Sequence, residues 1–119
     1  MRHSSYDTNS GCPVEVTLEI IGGKWKGSIL YNLLDGTRRF NEIKRMFPGL
    51  TQRVLTRLLR ELERDGVVHR EVYAEVPPKV EYSLTEYGRT LETLLLGMRE
   101  WGARQLKETE NAESMQGEV

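Results

Sequence analysis

The chain has a single cysteine, only two histidines and no long apolar stretch. Because Cys12 is the only cysteine among 119 residues, an internal disulfide framework is excluded. No apolar run approaches the roughly 20 residues that a membrane-spanning helix needs. Residues 1–7 lack the apolar stretch of a secretory signal. His3 and His69 have no partner at metal-ligand spacing, so we expect neither a metal site nor a cofactor. These absences predict a cytoplasmic protein with no membrane association.

The motifs of common enzyme classes are also missing. The sequence contains no Ser/His/Asp arrangement, no glycine loop that could hold a phosphate and no HExxH. Gly22 and Gly23 break a helical pattern and are not part of a dinucleotide-binding fingerprint. We therefore expect a protein without enzymatic activity.

Length and composition indicate one soluble globular domain. The chain is 38% hydrophobic and 29% charged, which is ordinary for such a domain. Polar residues 1–11 are typical of a flexible arm, and residues 108–119 of a disordered acidic tail. The folded domain is therefore predicted to span residues 12–107.

The net charge of −1 conceals a strong separation of charge along the chain. Residues 24–60 contain nine Lys or Arg and only two acids, Asp35 and Glu42, a local balance of +7. The rest of the chain then carries −8. Such segregation favours one face for a polyanion and another for a different partner.

The hydrophobic pattern predicts a mostly helical protein with a small β-hairpin. A first helix follows Cys12-Pro13 and stops at Gly22, and a second runs over residues 24–35. Residues 38–40 form one extended step, Asn41 caps a short third helix, and Thr51 caps a fourth that ends at residues 65–66.

The pattern then changes from helical to alternating. Residues 67–76 and 80–84 are predicted strands, and Pro77-Pro78 marks the turn between them. Thr85 caps a long last helix. The order α-α-β-α-α-β-β-α is that of a winged helix-turn-helix, in which the hairpin is the wing.

The fourth predicted helix, residues 51–65, has two contrasting faces. One face is apolar, and the opposite face carries four arginines spaced 4, 3 and 4 residues apart, namely Arg53, Arg57, Arg60 and Arg64. A major-groove helix needs this division, since one face holds it to the domain and the other brings guanidinium groups to bases and phosphates. The helix is predicted to be the recognition helix.

The N-terminal turns of a recognition helix enter the groove most deeply. We therefore assign base contacts to Gln52, Arg53 and Thr56, and phosphate contacts to Arg57 and Arg60. Arg64 lies beside Glu61 and Asp65, which favours local ion pairs. Additional backbone contacts are predicted at residues flanking the groove and at the wing, which are Lys24, Arg38, Arg39, Lys44 and Lys79.

Several linked segments resemble the HxlR-type regulators, winged-helix transcription factors related to the MarR group. The resemblance covers residues 12–101. It rests on Cys12-Pro-Val, Ile21-Gly-Gly-Lys-Trp-Lys, Arg39-Phe-Asn-Glu-Ile, Pro48-Gly-Leu-Thr-Gln-Arg-Val-Leu, Leu59-Arg-Glu-Leu-Glu-Arg-Asp-Gly, Val76-Pro-Pro-Lys-Val-Glu-Tyr and Leu84-Thr-Glu-Tyr-Gly, in this order.

The resemblance implies a homodimer, built largely from the first and last helices, that binds a roughly palindromic operator in promoter DNA. We expect it to act as a repressor, and activation is the alternative. The apolar residues of these helices independently offer more surface than a small domain covers by itself. The alternative is packing within one chain, and both can hold for different residues. The predicted interface comprises Leu18, Ile21, Leu91, Leu94, Leu95, Met98 and Trp101.

Some members of the family that the chain resembles sense oxidants or electrophiles through a cysteine near the N-terminus, where Cys12 lies. A thiol at a helix N-terminus feels the positive end of the helix dipole, which favours the reactive thiolate. Without a second cysteine, the routes open are a disulfide across the dimer, a mixed disulfide or S-alkylation. The alternative is an inert cysteine that packs as a small hydrophobe.

A different function is also compatible with the winged fold. A protein-interaction module could keep this architecture without binding DNA, because a fold does not fix a function. Such a module is expected to lose the arginine face, which this chain retains.

Overall fold

A computed structural model describes residues 11–117, and its helices and strands form a winged helix-turn-helix. The predicted arm, apart from Gly11, lies outside the described residues. The elements, in chain order, are α1 (Pro13–Ile21), α2 (Lys26–Leu33), β1 (Arg38–Arg39), α3 (Phe40–Met46), α4 (Gln52–Arg64), β2 (Val68–Tyr73), β3 (Lys79–Leu84), α5 (Glu86–Arg89) and α6 (Glu92–Gly117).

Helix α4, the predicted recognition helix, begins and ends where the sequence predicts. The hydroxyl of Thr51 accepts a hydrogen bond from the backbone N–H of Val54 at 3.1 Å, which satisfies an unpaired donor of the first turn. Gly66, with a φ of 80°, reverses the chain after the helix in the left-handed conformation that glycine adopts without strain. These two signals fix the ends of α4.

The wing is a three-stranded antiparallel sheet in the order β1-β3-β2. In β3, Tyr82 lies opposite Arg38 of β1 and opposite Arg70 of β2. Val80, Tyr82 and Leu84 alternate with polar residues, and Tyr82 and Leu84 are buried, so one face of the sheet packs against the helices. The other face carries most of the charged residues of the hairpin, whereas Arg70 lies on the same face as Tyr82.

A single hydrophobic core joins the helices to the wing. The inner face of α4 supplies four of its buried residues, Leu55, Leu58, Leu59 and Leu62. They pack with apolar residues of α2, α3 and the sheet, among them Ile29, Leu33, Ile43 and Val68. Burial of one complete face holds α4 against the domain and leaves its polar face exposed.

The starts of two helices differ from the predictions. Helix α2 starts at Lys26 instead of residue 24, because residues 23–25 form a turn. Helix α3 starts at Phe40, and Asn41 is not its cap. The backbone N–H of Arg39 donates to the carboxylate of Glu42 at 2.8 Å, so Arg39 is the N-cap and the helix starts two residues earlier than predicted.

The C-terminal region also differs from the prediction. Thr85 caps only α5, where its hydroxyl accepts from the N–H of Gly88, and a separate α6 follows from Glu92. Helix α6 continues to Gly117, so residues 108–117 are helical where a disordered tail was predicted. This segment contains several residues that favour helix, namely Glu, Ala, Met and Gln, and no proline.

Two residues predicted at the dimer interface belong to the core of one chain instead. Ile21 is 4% exposed and Leu95 is 3% exposed. Both lie in the hydrophobic core, and Leu91 is partly buried against it. Because α1, α2 and α6 pack together, the inner sides of the two apolar helices are covered within the chain, and their outer sides remain exposed.

Candidate nucleic-acid interface

The polar face of α4 lines one open groove of about 910 Å³. The groove collects all five residues predicted to contact bases or phosphates from this helix, Gln52, Arg53, Thr56, Arg57 and Arg60. Arg53 and Arg60 are exposed and form no ion pair within residues 11–117. Their guanidinium groups are therefore free to bind a ligand from solvent.

Thr56 lies deeper, one turn after Gln52. Its hydroxyl donates to the backbone carbonyl of Gln52 at 2.8 Å, so the hydroxyl proton is not available for a hydrogen bond to DNA. The oxygen keeps its lone pairs, and the methyl group remains available for apolar contact. In a major groove, such a threonine can accept from a base amino group or contact a thymine methyl.

Arg57 is restrained by a neighbouring carboxylate. Its Nη1 lies 3.1 Å from Oε2 of Glu61, and its side chain is 62% exposed. The other oxygen of Glu61 lies 2.8 Å from Nζ of Lys26, whose side chain is only 11% exposed. Lys26 lowers the pKa of Glu61, chiefly by donating a hydrogen bond to it, and Arg57 adds to the effect. The carboxylate is therefore held in its ionised form.

A second cavity connects the recognition helix to the wing. It is lined by Gln52, Thr56 and Arg60 on the side of α4 and by Arg70, Val80 and Tyr82 on the side of the sheet. Arg70 was not among the residues predicted from the sequence to contact DNA. The alternation of β2 contained a signal for it, since Arg70 follows Val68 by two residues and shares its face of the strand.

The outer wing contributes a third group of charges. Arg39, Arg45, Lys79 and Glu75 line one groove between α3 and the hairpin. Arg45 was also not predicted, because the contact with the DNA backbone was assigned to the adjacent Lys44. Nζ of Lys79 lies 4.4 Å from the ring centroid of Tyr73 and 3.9 Å from Glu81. Glu81 raises the pKa of Tyr73, chiefly because its carboxylate accepts a hydrogen bond from the neutral phenol, and also through its negative charge.

The structure does not bring the other predicted flanking residues to these grooves. Lys24 is exposed but lines a cavity between α2 and α6, with its Nζ 4.9 Å from the ring centroid of Trp25. Lys44 is half-buried in α3. Arg38 is partly buried in β1, and its Nε has no hydrogen-bond partner in the part of the chain described. Their assignment to DNA remains a prediction.

Cys12 occupies the N-cap position of α1 and is half-buried. Its backbone carbonyl accepts from the N–H of Val16 at 3.0 Å, and Pro13 follows as the first helical residue. The thiol makes no capping hydrogen bond within the described chain. The sulfur thus lies at the positive end of the helix, as the sequence predicts.

The outer sides of α1 and α6 expose large apolar side chains. On α1, Val14 and Leu18 lie one turn apart, and on α6, Leu94, Met98 and Trp101 follow at helical spacing. The exposed members therefore include four of the seven residues predicted at the dimer interface. Exposed apolar surface of this kind occurs where proteins contact another chain, a membrane or a ligand.

Two predicted absences can be examined in the described residues. Within residues 11–117, no group of three or more His, Cys, Asp or Glu is arranged to hold a metal ion. No helix of this part is long and apolar enough to span a membrane.

The comparison with known proteins connects this geometry to a family. Residues 20–110 match the family described as HxlR-like helix-turn-helix. The chain is 66% identical over 100 residues to YdeP, an HTH-type transcriptional regulator of Bacillus subtilis strain 168, and the match covers 84% of this chain and 78% of YdeP.

Solved structures agree with the sequence match. The redox regulator HypR in its reduced form is 61% identical, with a TM-score of 0.80, over 84% of this chain and 99% of that chain. The oxidised form of HypR is 66% identical, with a TM-score of 0.75, over 78% of this chain and 96% of that chain. These relatives are regulators and not enzymes, which confirms the expectation of a non-enzymatic function. The chain belongs to the HxlR-like helix-turn-helix family of transcriptional regulators.

Proposed function

We propose that the protein is a homodimeric, sequence-specific DNA-binding repressor that reads a pseudo-palindromic operator with α4. The observation that carries the proposal is the division of α4, whose apolar face is buried while its polar face lines an open groove. In a dimer, two such helices would lie about 34 Å apart, one turn of B-DNA. Because its target is promoter DNA, we place its action in the cytoplasm.

The roles of the groove residues follow from their positions. Gln52, Arg53 and Thr56 are assigned to base edges, because they occupy the first turns of α4. Arg57 and Arg60 are assigned to phosphates, together with cations that flank the helix. For the flanking contacts, the exposed side chains of Arg39 and Arg45 are better placed than those of Lys44 and Lys24.

The second copy of the chain is assigned to the exposed apolar stripe of α1 and α6. Leu18, Leu94, Met98 and Trp101 would be covered in a dimer by the same surface of the partner, as twofold symmetry requires. Sedimentation equilibrium tests this assignment. The wild type is expected to form a dimer, and a double substitution Met98→Glu and Trp101→Glu is expected to give a folded monomer that binds the operator poorly.

Fluorescence anisotropy tests DNA binding. A labelled duplex from the upstream region of the protein's own gene is titrated at several salt concentrations, with a scrambled duplex as control. If six to ten phosphates are neutralised per dimer, affinity should fall by about 10³–10⁵ between 50 and 200 mM salt. Equal, weak binding to both duplexes, repeated with duplexes from neighbouring promoters, would favour a protein-interaction module instead.

Substitutions separate these two functions. The double variant Arg53→Ala and Arg57→Ala should lose operator binding and remain a folded dimer. A matched variant, Arg89→Ala and Arg104→Ala, also removes two exposed arginines, but from α5 and α6 and away from the groove. It should bind the operator almost as the wild type does. Repression itself is measured with a promoter fused to a reporter gene.

A redox response through Cys12 is a further part of the proposed function. It is supported by the thiol at the N-cap of α1 and by the similarity to HypR, a regulator solved in reduced and oxidised forms. With diamide, two thiols, one from each protomer, would form a disulfide, and diamide would take up two electrons and two protons. A quinone would instead add to the sulfur by S-alkylation.

The serine variant tests this response. Treatment of the wild type with diamide or a quinone should change its operator affinity, because α1 also forms part of the proposed dimer surface. Cys12→Ser should bind the operator but no longer respond. An undiminished response in the serine variant would show that Cys12 is not the sensor.

A further inference from the structure

A charged network connects the protein interior to the recognition helix. Nζ of Lys26 lies 2.8 Å from one oxygen of Glu61, and the other oxygen of Glu61 lies 3.1 Å from Nη1 of Arg57. Lys26 also donates to the backbone carbonyl of Glu19 in α1, at 3.4 Å. Glu61 is thus held between a buried cation from α2 and an exposed one on its own helix.

The burial of Lys26 distinguishes this network from an ordinary surface ion pair. Lys26 is the one charged residue that is buried among those described. A buried ammonium group needs a carboxylate partner, because an unpaired charge in a low-dielectric interior is very costly. Glu61, whose side chain is 24% exposed, is therefore fixed in position as well as ionised.

A fixed carboxylate restricts Arg57 more than a mobile one would. An exposed pair four residues apart on a helix is normally weak, because both side chains must be ordered to form it. Here Glu61 is already ordered by Lys26, so only Arg57 loses conformational freedom when the pair forms. Arg57 keeps one N–H on Glu61 and presents its remaining donors to the groove.

We propose that Glu61 is a specificity-determining residue, which acts by positioning Arg57 and by repelling phosphates that approach α4 out of register. The proposal rests on the proposed DNA-binding function. On the operator, the restrained guanidinium already points at its target and loses little freedom on binding. On other sequences, Arg57 cannot turn freely to a displaced phosphate, and the negative charge of Glu61 opposes such binding.

Glu61→Gln tests the proposal, since the amide keeps the size of the side chain and an acceptor for Lys26. Binding to a scrambled duplex should become tighter, so the ratio of operator to scrambled affinity should fall about three- to tenfold, the scale of two exposed ion pairs per dimer. Glu86→Gln is the matched control, because it removes the same charge from an exposed position on α5 that lines none of the grooves. Its ratio should stay within about twofold of the wild type, since surface substitutions have small effects.

A double-mutant cycle identifies the residue through which Glu61 acts. In an Arg57→Ala background, Glu61→Gln should no longer change the affinity ratio by the same factor. Arg57→Lys supplies a variant that leaves the buried pair untouched, keeps the charge and loses the fork-shaped geometry. It should also lower the ratio, and circular dichroism melting curves of all variants report whether each is folded.

The outcomes distinguish two failures. A wild type that binds both duplexes equally would refute the proposed function, and the role of Glu61 with it. A wild type that discriminates, together with a Glu61→Gln variant that discriminates equally well, would overturn only the role of Glu61. Equal losses in Glu61→Gln and Glu86→Gln would also overturn it, by showing a general charge effect. If Glu61→Gln does not fold, an unchanged ratio in Arg57→Lys is the overturning result.

Discussion

Arg60→Ala should change the salt dependence of DNA binding in a way that can be calculated. Arg60 is exposed, lines both the groove of α4 and the cavity facing the wing, and forms no ion pair within residues 11–117. Its truncation therefore leaves no carboxylate without a partner, in contrast to Arg57. The change in affinity will therefore reflect the lost contact with DNA and not the cost of leaving a carboxylate unpaired.

The expected magnitude follows from counterion release. One phosphate contact per protomer makes two per dimer, and each contributes about 0.9 to the slope of log affinity against log salt. The slope should therefore become shallower by about 1.8, and the affinity lost between 50 and 200 mM salt should be about 12-fold smaller than in the wild type. Arg60, in contrast to Arg57, is not held by a carboxylate of the described chain, and a phosphate contact by itself reads no sequence, so operator and scrambled duplexes should weaken in parallel.

Anisotropy titrations at four or more salt concentrations measure both slopes. Arg53→Ala is the informative comparison, because a lost base contact should cost about 1–3 kcal/mol of discrimination. Arg89→Ala, an exposed arginine on α5 outside the grooves, controls for the loss of one positive charge. An unchanged slope for Arg60→Ala, or weakening confined to the operator, would refute the phosphate assignment.

Two further predictions concern stability. Leu55→Ala should lower the free energy of unfolding by about 2–5 kcal/mol, because Leu55 is completely buried in the core beneath α4, and urea unfolding measures it. Glu61 has a pKa below its ordinary value of 4.5, so its contribution to stability is complete above that pH and is lost as the pH falls through the lowered value. Melting temperatures measured between about pH 7 and pH 2.5 should therefore fall less steeply for Glu61→Gln, and parallel curves would contradict the assignment.

The recognition helix could be predicted closely, because its signals are local. Thr51 caps it, Gly66 ends it, and the helical spacing of the leucines in between indicates which face is buried. The hairpin could also be predicted, since the alternation of apolar and polar residues indicates its strands and Pro77-Pro78 indicates its turn. These features depend on residues a few positions apart, where hydrogen-bonding and steric rules apply directly.

Other features depend on packing between distant segments and gave no local signal. Lys26 looks like any surface lysine in the sequence, and only the packing of α1, α2 and α4 buries it beside Glu61. Likewise, Ile21 and Leu95 belong to apolar stripes that the sequence assigns to a partner. The core and the outer stripe share the same two helices, and the rotation of each helix decides which residues are covered.

The separation of charge along the sequence corresponds only in part to a separation of charge on the folded surface. Of the cations in residues 24–60, Lys26 is neutralised inside the protein and Lys24 lies at a different cavity. Arg70 and Lys79, in contrast, belong to the part of the chain with net negative charge, and the wing brings them beside α4 and α3. The proposed DNA-binding face therefore takes most of its cations from the basic segment, and the hairpin adds Arg70 and Lys79. The distribution of charge along the sequence predicts a positive face, and the register of the strands determines which hairpin side chains belong to it.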